Sequence, residues 1–149
     1  MGSSRRVIAI LGAGGTLGTA LSRRLAAEPD TDLVLSDLSE DALAQARDDL
    51  AASAGGVATV PADISDFAAV ANVVKNAVDR FGRLDVLISN AGVLAPNGRI
   101  HNLSTEDWER SYRINVLGPV NGIKAAVPVM RASGDSPKTR PLRRQPQLR

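Results

Sequence analysis

Three glycines and one carboxylate stand where they could hold a diphosphate and a sugar. Residues 12–18 read Gly-Ala-Gly-Gly-Thr-Leu-Gly, so glycines recur at Gly12, Gly15 and Gly18, and Asp37 follows the last of them by 19 residues. Gly12 permits a tight turn, Gly15 a close backbone approach to a diphosphate, and Gly18 close packing of the next helix on the preceding strand. A helix opening at Thr16 and Leu17 adds unpaired N–H donors and the positive end of its dipole. Asp37 can accept hydrogen bonds from ribose hydroxyls, and its charge would repel a 2′-phosphate. The expected cofactor is therefore a nicotinamide dinucleotide, NAD rather than NADP, contacted by Gly12, Gly15, Thr16, Leu17, Gly18 and Asp37. No Lys-Ser/Thr pair closes the turn, which argues against a nucleoside-triphosphate loop.

Such a turn works only between a buried strand and a helix, and the chain supplies both. Residues 7–11 are an apolar run ending in glycine, as in a strand buried on both faces. Leu17, Leu21 and Leu25 then recur on one helix face, with Pro29 beyond it. Residues 33–35 give a second strand, and Ser39 can cap a helix carrying Leu43, Ala46 and Leu50, broken by Gly55 and Gly56. Residues 57–60 give a third strand. Asp66 opens a helix with Phe67, Val70, Val74, Ala77 or Val78, and Phe81 on one stripe, stopped by Gly82. Residues 84–88 give a fourth strand. After a polar loop, Ser104 can cap a last helix with Glu106 and Asp107 in its first turn, running to about residue 130 with an interruption near Gly118 and Pro119. Strands joined by helices of this length must run parallel. The expectation is an α/β fold, an incomplete doubly wound parallel sheet of about four strands in the order 3-2-1-4, with helices on both faces.

Composition narrows the class. The chain has 149 residues, 44% hydrophobic and 23% charged, which fits one ordinary globular domain. It contains no cysteine, excluding disulfides, thiolate nucleophiles and Cys-ligated zinc; no metal site is expected, and a cytoplasmic location fits. Residues 134–149 hold five of the 18 basic residues and one of the 16 acidic ones, so the formal charge of +2 belongs to this end and the remainder carries −2. That density without interleaved aromatics argues against nucleic acid as a partner, and no run is long and apolar enough to argue for a membrane.

From the third strand onward the residues resemble a known family. Pro61-Ala62-Asp63-Ile64-Ser65, then the stretch from Phe81 with Asn90-Ala91-Gly92, then Asn115 in its helix, are similar to the N-terminal half of a short-chain dehydrogenase/reductase, over roughly residues 5–132. The resemblance implies a Rossmann-type fold. It also implies cofactor contact at the adenine end for Asp63 and Ile64, a cofactor-pocket role for Asn90, Ala91 and Gly92, and a place in the catalytic proton relay for Asn115. It implies hydride transfer between nicotinamide and a small alcohol or carbonyl substrate.

Two departures leave alternatives open. The glycine spacing has Thr16 where the family's main branch has glycine and resembles the extended, epimerase-like branch, while Asn90-Ala91-Gly92 and Asn115 resemble the main branch. The family's Ser and Tyr-x-x-x-Lys follow a fifth strand, and this sequence has Tyr112 as its one tyrosine with Val116 four residues on. Tyr112 reads as a packing residue beside Trp108, and His101 as a residue of a polar loop. The readings are an oxidoreductase impaired or inactive as this chain, a non-catalytic NAD-binding remnant or regulator, and an epimerase-like enzyme. The expected domain is residues 1–133; residues 134–149, with Pro137, Pro141 and Pro146, read as a disordered basic tail of the composition a reading-frame shift or truncation in a GC-rich gene would produce. An uncovered fourth strand predicts self-association.

Overall fold

A computed structural model describes residues 5–53, 55–94 and 97–132. Its elements alternate as expected: β1 (Arg6–Leu11), α1 (Thr16–Ala26), β2 (Thr31–Asp37), α2 (Glu40–Asp49), β3 (Val57–Pro61), α3 (Phe67–Phe81) and β4 (Val86–Ser89). A single 3-10 turn (Ile100–Asn102) precedes α4 (Thr105–Tyr112), a π-helical segment (Arg113–Leu117) and α5 (Gly118–Ala132). The four strands form one parallel sheet in the order β3-β2-β1-β4. The tail expected over residues 134–149 lies outside the described residues.

Alternation along the strands divides the core into two layers. Val7, Ala9 and Leu11 of β1 and Val34 of β2 face α3 and α5, meeting Val70, Val73, Val74, Ala77 and Ala126. Ile8, Ile10, Leu33 and Leu35 face the other way, against Leu43 and Ala46 of α2 and the half-buried Leu21 and Leu25 of α1. Both central strands are therefore apolar on both faces, which is why they read as unbroken runs rather than alternating ones.

Local signals set most boundaries. Ser39 caps α2 by accepting the Ala42 N–H at 3.2 Å, and Asp66 caps α3 through the Ala68 N–H at 2.9 Å. Gly82 ends α3 at φ +80°, a backbone conformation that favours glycine. Ser104 and Asp107 exchange side-chain bonds with each other's backbone N–H, closing the start of α4.

Three expectations need correction. Leu17 is 62% exposed, and α1 faces the sheet with Gly18 and Ser22, because it lies too close to the glycine turn for larger side chains. Phe67 is exposed under the Lys124 ammonium, and Val73 takes its place in the α3 stripe. The last helix is interrupted near Gly118 and Pro119 as expected, by the π-helical segment Arg113–Leu117 that ends at Gly118. Trp108 and Tyr112 do not pack into the core, being 51% and 55% exposed.

The outer edge of β4 pairs with no strand among the described residues, and Val86, Leu87 and Ile88 are half-buried. No helix among the described residues is long and apolar enough to cross a membrane.

Candidate functional site

The carboxyl ends of β1, β2 and β4 converge on one cavity of about 270 Å³, at the point where successive connections leave the sheet in opposite directions. β1 runs into Gly12 at φ +85°, and the Gly12 and Ala13 N–H groups donate to the Ser36 carbonyl at 2.7 and 2.9 Å. Two tight approaches explain two glycines. A Cβ on Gly12 would lie 2.6 Å from the Ala91 backbone, and one on Gly18 would lie 2.0 Å from the Gly12 carbonyl oxygen. Gly15 is different: a Cβ there would meet nothing nearer than the Gly12 oxygen at 4.0 Å, so its surroundings are open. Gly15 is also the N-cap of α1 and no side chain caps that helix, whose first turn carries no acid. Its first amides and dipole are directed at the cavity's rim, an arrangement suited to an anion.

Asp37, at the end of β2, accepts the Gly14 N–H at 2.9 Å on one oxygen and the Ser39 N–H at 3.2 Å on the other. These bonds orient the carboxylate and leave each oxygen a further lone pair. Ser39 serves as the α2 cap, so Asp37 is not needed for that purpose. Past β3, one Asp63 oxygen accepts the Ser65 N–H and hydroxyl, both at 2.8 Å. Ile64 is buried, and its carbonyl accepts the Asn121 amide at 3.0 Å.

The loop after β4 is tied to the glycine turn across the sheet. Asn90 and Ala91 donate backbone N–H groups to Leu11 at 3.0 and 2.8 Å, and the Asn90 side-chain amide donates to the Gly12 carbonyl at 2.8 Å. Asn115 then holds the loop from behind. Its side-chain oxygen accepts the Val93 N–H at 2.8 Å, while its amide donates to the Val93 carbonyl at 2.9 Å and to the Ser111 hydroxyl at 3.2 Å. Asn115 is not part of the cavity wall.

Of the residues expected from sequence, Gly12, Gly15, Asp37, Asp63, Ile64, Asn90, Ala91 and Gly92 line this one cavity. Thr16, Leu17 and Gly18 stand beside it without lining it. Sequence reasoning missed Leu38, Ala62, Val93, Arg110 and Ile114 in the wall. Leu38, Ala62 and Val93 are chain neighbours of residues that were found. Ile114 and Arg110 lie one and five residues before Asn115 on its helix, where only the packing of α4 shows that they face the cavity.

A four-stranded parallel sheet with its glycine turn and an acid at the switch point defines a Rossmann-type α/β protein with a dinucleotide site. Comparison with known proteins gives the narrower class. Residues 6–137 match the family described as short chain dehydrogenase, and the chain belongs to that family of oxidoreductases. It is 35% identical over 125 residues to a CLA biosynthesis dehydrogenase/reductase of Lactiplantibacillus plantarum, covering 84% of this chain and 43% of that protein. Among solved structures it is similar to levodione reductase, with a TM-score of 0.82, 32% identity, and coverage of 88% of this chain and 51% of the other. An NAD+-bound xylitol dehydrogenase gives a TM-score of 0.80 at 28% identity, covering 89% of this chain and 51% of the other. The chain spans about half the length of the proteins it matches.

Proposed function

We propose that residues 6–132 are the cofactor-binding half of an NAD(H)-dependent oxidoreductase that moves a hydride between nicotinamide and an alcohol or carbonyl of a small substrate. The observation that carries this reading is the joining of the open Gly15, the uncapped start of α1 and the oriented Asp37 carboxylate in one cavity. The residues fit the group: the Gly12 and Gly15 backbone with the first amides of α1 receives the diphosphate, and Asp37 receives the ribose hydroxyls. When bound, the nicotinamide supplies the hydride acceptor or donor. Asp37 favours NAD, because a 2′-phosphate would set its charge against the carboxylate. The xylitol dehydrogenase solved with NAD+ supports the same choice.

In this reading Asp63 and Ile64 hold the adenine end, while Asn90, Ala91 and Gly92 form the wall between adenine and nicotinamide. Asn115 keeps that wall in place by clamping Val93, so it serves the relay by positioning. Residues 1–133 make up the domain, and residues 134–149 lie outside it. The apolar side chains of Trp108, Tyr112, Val116, Val120 and Ile123, exposed at helical spacing along α4, the π-helical segment and α5, support self-association together with the open β4 edge.

A second reading, an NAD-binding protein without turnover, is favoured by Tyr112. The hydride step needs a group exchanging a proton with the substrate oxygen, and a nearby Lys⁺ would bring a tyrosine toward working pH. Tyr112 is exposed, lies outside the cavity wall and has Val116 where that lysine would stand. The epimerase-like reading rests on the 12-15-18 glycine spacing alone. Calorimetry with NADH tests the shared claim, with saturable binding as the expected result and no heat as its refutation. Assay against an alcohol and carbonyl panel then separates the two readings: turnover requires the first, and binding without turnover the second.

A further inference from the structure

The cavity has a cation that neither the glycine turn nor the acid accounts for. Arg110, near the end of α4, lines it one turn before Ile114, in a wall that also includes Asp63 and Ile64. Its side chain is exposed, and among the described residues it has no hydrogen bond and no ion pair, although Asp37 and Asp63 line the same cavity. Its neighbour Arg113 is by contrast engaged with Glu109. Asp37 and Asp63 are oriented by other groups, the Gly14 and Ser39 amides in one case and Ser65 in the other, so neither is directed to Arg110.

We propose that Arg110 is a nucleotide-binding residue that lays its guanidinium over the purine base of the dinucleotide, against the face opposite Ile64. The inference rests on the cofactor reading above and deepens it. With the diphosphate at Gly15 and its ribose at Asp37, the base would extend past Leu38 toward Asp63 and Ile64, which line the same cavity as Arg110 and Ile114. Ile114 and Ile64 offer apolar walls there, and a guanidinium is the cation suited to the remaining face, because it is planar, weakly hydrated and stacks on aromatic rings. Having no partner to give up, it binds without breaking an interaction of the folded protein.

The test is calorimetric titration of the 149-residue chain with ADP-ribose, for the unsubstituted protein, Arg110→Met and Arg110→Lys, at low salt and at about 0.5 M salt. We expect Arg110→Met to weaken ADP-ribose by about tenfold, as loss of one cation-aromatic stack does. The loss should persist at high salt, and Arg110→Lys should recover little of it because an ammonium has no plane to stack. Unchanged affinity in Arg110→Met overturns the inference and leaves the cofactor reading standing. Full rescue by lysine, or a loss that vanishes at high salt, also overturns it, since either makes Arg110 a point charge for phosphate. If the unsubstituted chain binds no ADP-ribose, the cofactor reading falls and this inference with it. Circular dichroism checks the fold, and should Arg110→Met not fold, the Arg110→Lys titrations alone decide the question.

Discussion

The two rims of the sheet use the same side chain for opposite purposes. At the amino-terminal rim Asp32 accepts Arg5 at 2.8 Å and the Gly56 N–H at 2.7 Å, and Asp85 pairs with Arg83 while accepting the Val7 N–H at 2.8 Å. These carboxylates are buried or nearly so and are matched by a cation and an amide each. At the carboxyl-terminal rim Asp37 and Asp63 receive local N–H and hydroxyl donors but no cation among the described residues. A saturated carboxylate ties strands to loops; an oriented, unsaturated one is available to a ligand. Burial and partner, rather than residue type, separate the two kinds of carboxylate in this fold.

The sharpest way to break that distinction lies within the glycine turn. Gly18→Ala forces a Cβ to within 2.0 Å of a backbone oxygen and is expected to cost about 3 kcal/mol or more in stability, seen as a lower urea midpoint. Gly15→Ala meets only open space, so its unfolding free energy should change by less than about 0.5 kcal/mol while NADH affinity falls about tenfold or more. If both variants lost stability equally, the open space at Gly15 would be structural after all.

Next in size is the pair of aspartates. Asp32→Ala strands the Gly56 N–H and takes away the carboxylate that the Arg5 Nε donates to, and should cost about 2–3 kcal/mol of stability. Asp37→Ala should leave thermal unfolding nearly unchanged and cost about 1.5–3 kcal/mol of NAD binding, measured by calorimetry. An exchange of these outcomes would reverse the roles of the two rims. Asn115→Ala, which frees both polar groups of Val93, is expected to cost about 1 kcal/mol of stability and to weaken NADH severalfold through the loosened 90–93 loop.

The smallest effect concerns acid. The Arg23 guanidinium, and then the Gln45 amide, hold the Asp49 carboxyl below its ordinary value. A folded-state value below the unfolded one means that this link between α1 and α2 contributes fully above about pH 4 and is lost as the pH falls through the lowered value. Melting temperatures of the protein and of Asp49→Asn should therefore differ slightly at pH 6 in low salt and converge on acidification. A difference that grew with acid would contradict the assigned direction.

Much of the architecture could be read from the chain itself. Unbroken apolar runs at β1 and β2, glycines at a strand-to-helix junction and caps at Ser39, Asp66 and Ser104 are local signals, and each cap corresponds to a hydrogen bond within three residues. The strand order followed from them because parallel strands need crossovers of one hand. Gly12, demanded by the turn it makes at positive φ, and Asp37, a charge at the end of a strand, could be placed at the cavity for the same reason.

What the sequence determined by itself, then, was the alternation of elements and the chemistry offered at the ends of the strands. Tertiary packing alone decided which residues share the cavity and which face each helix buries. The 3.6-residue repeat placed Leu17 inward, yet the closeness of α1 to the Gly12 carbonyl turned Gly18 and Ser22 to the sheet. Asn90 meets Gly12 across 78 positions and Asn115 meets Val93 across 22, and Arg110 shares the cavity with Gly12, 98 positions before it. Contacts between residues so far apart leave no periodicity to read; they exist because burying two apolar faces of one sheet allows few arrangements of the helices that cover it.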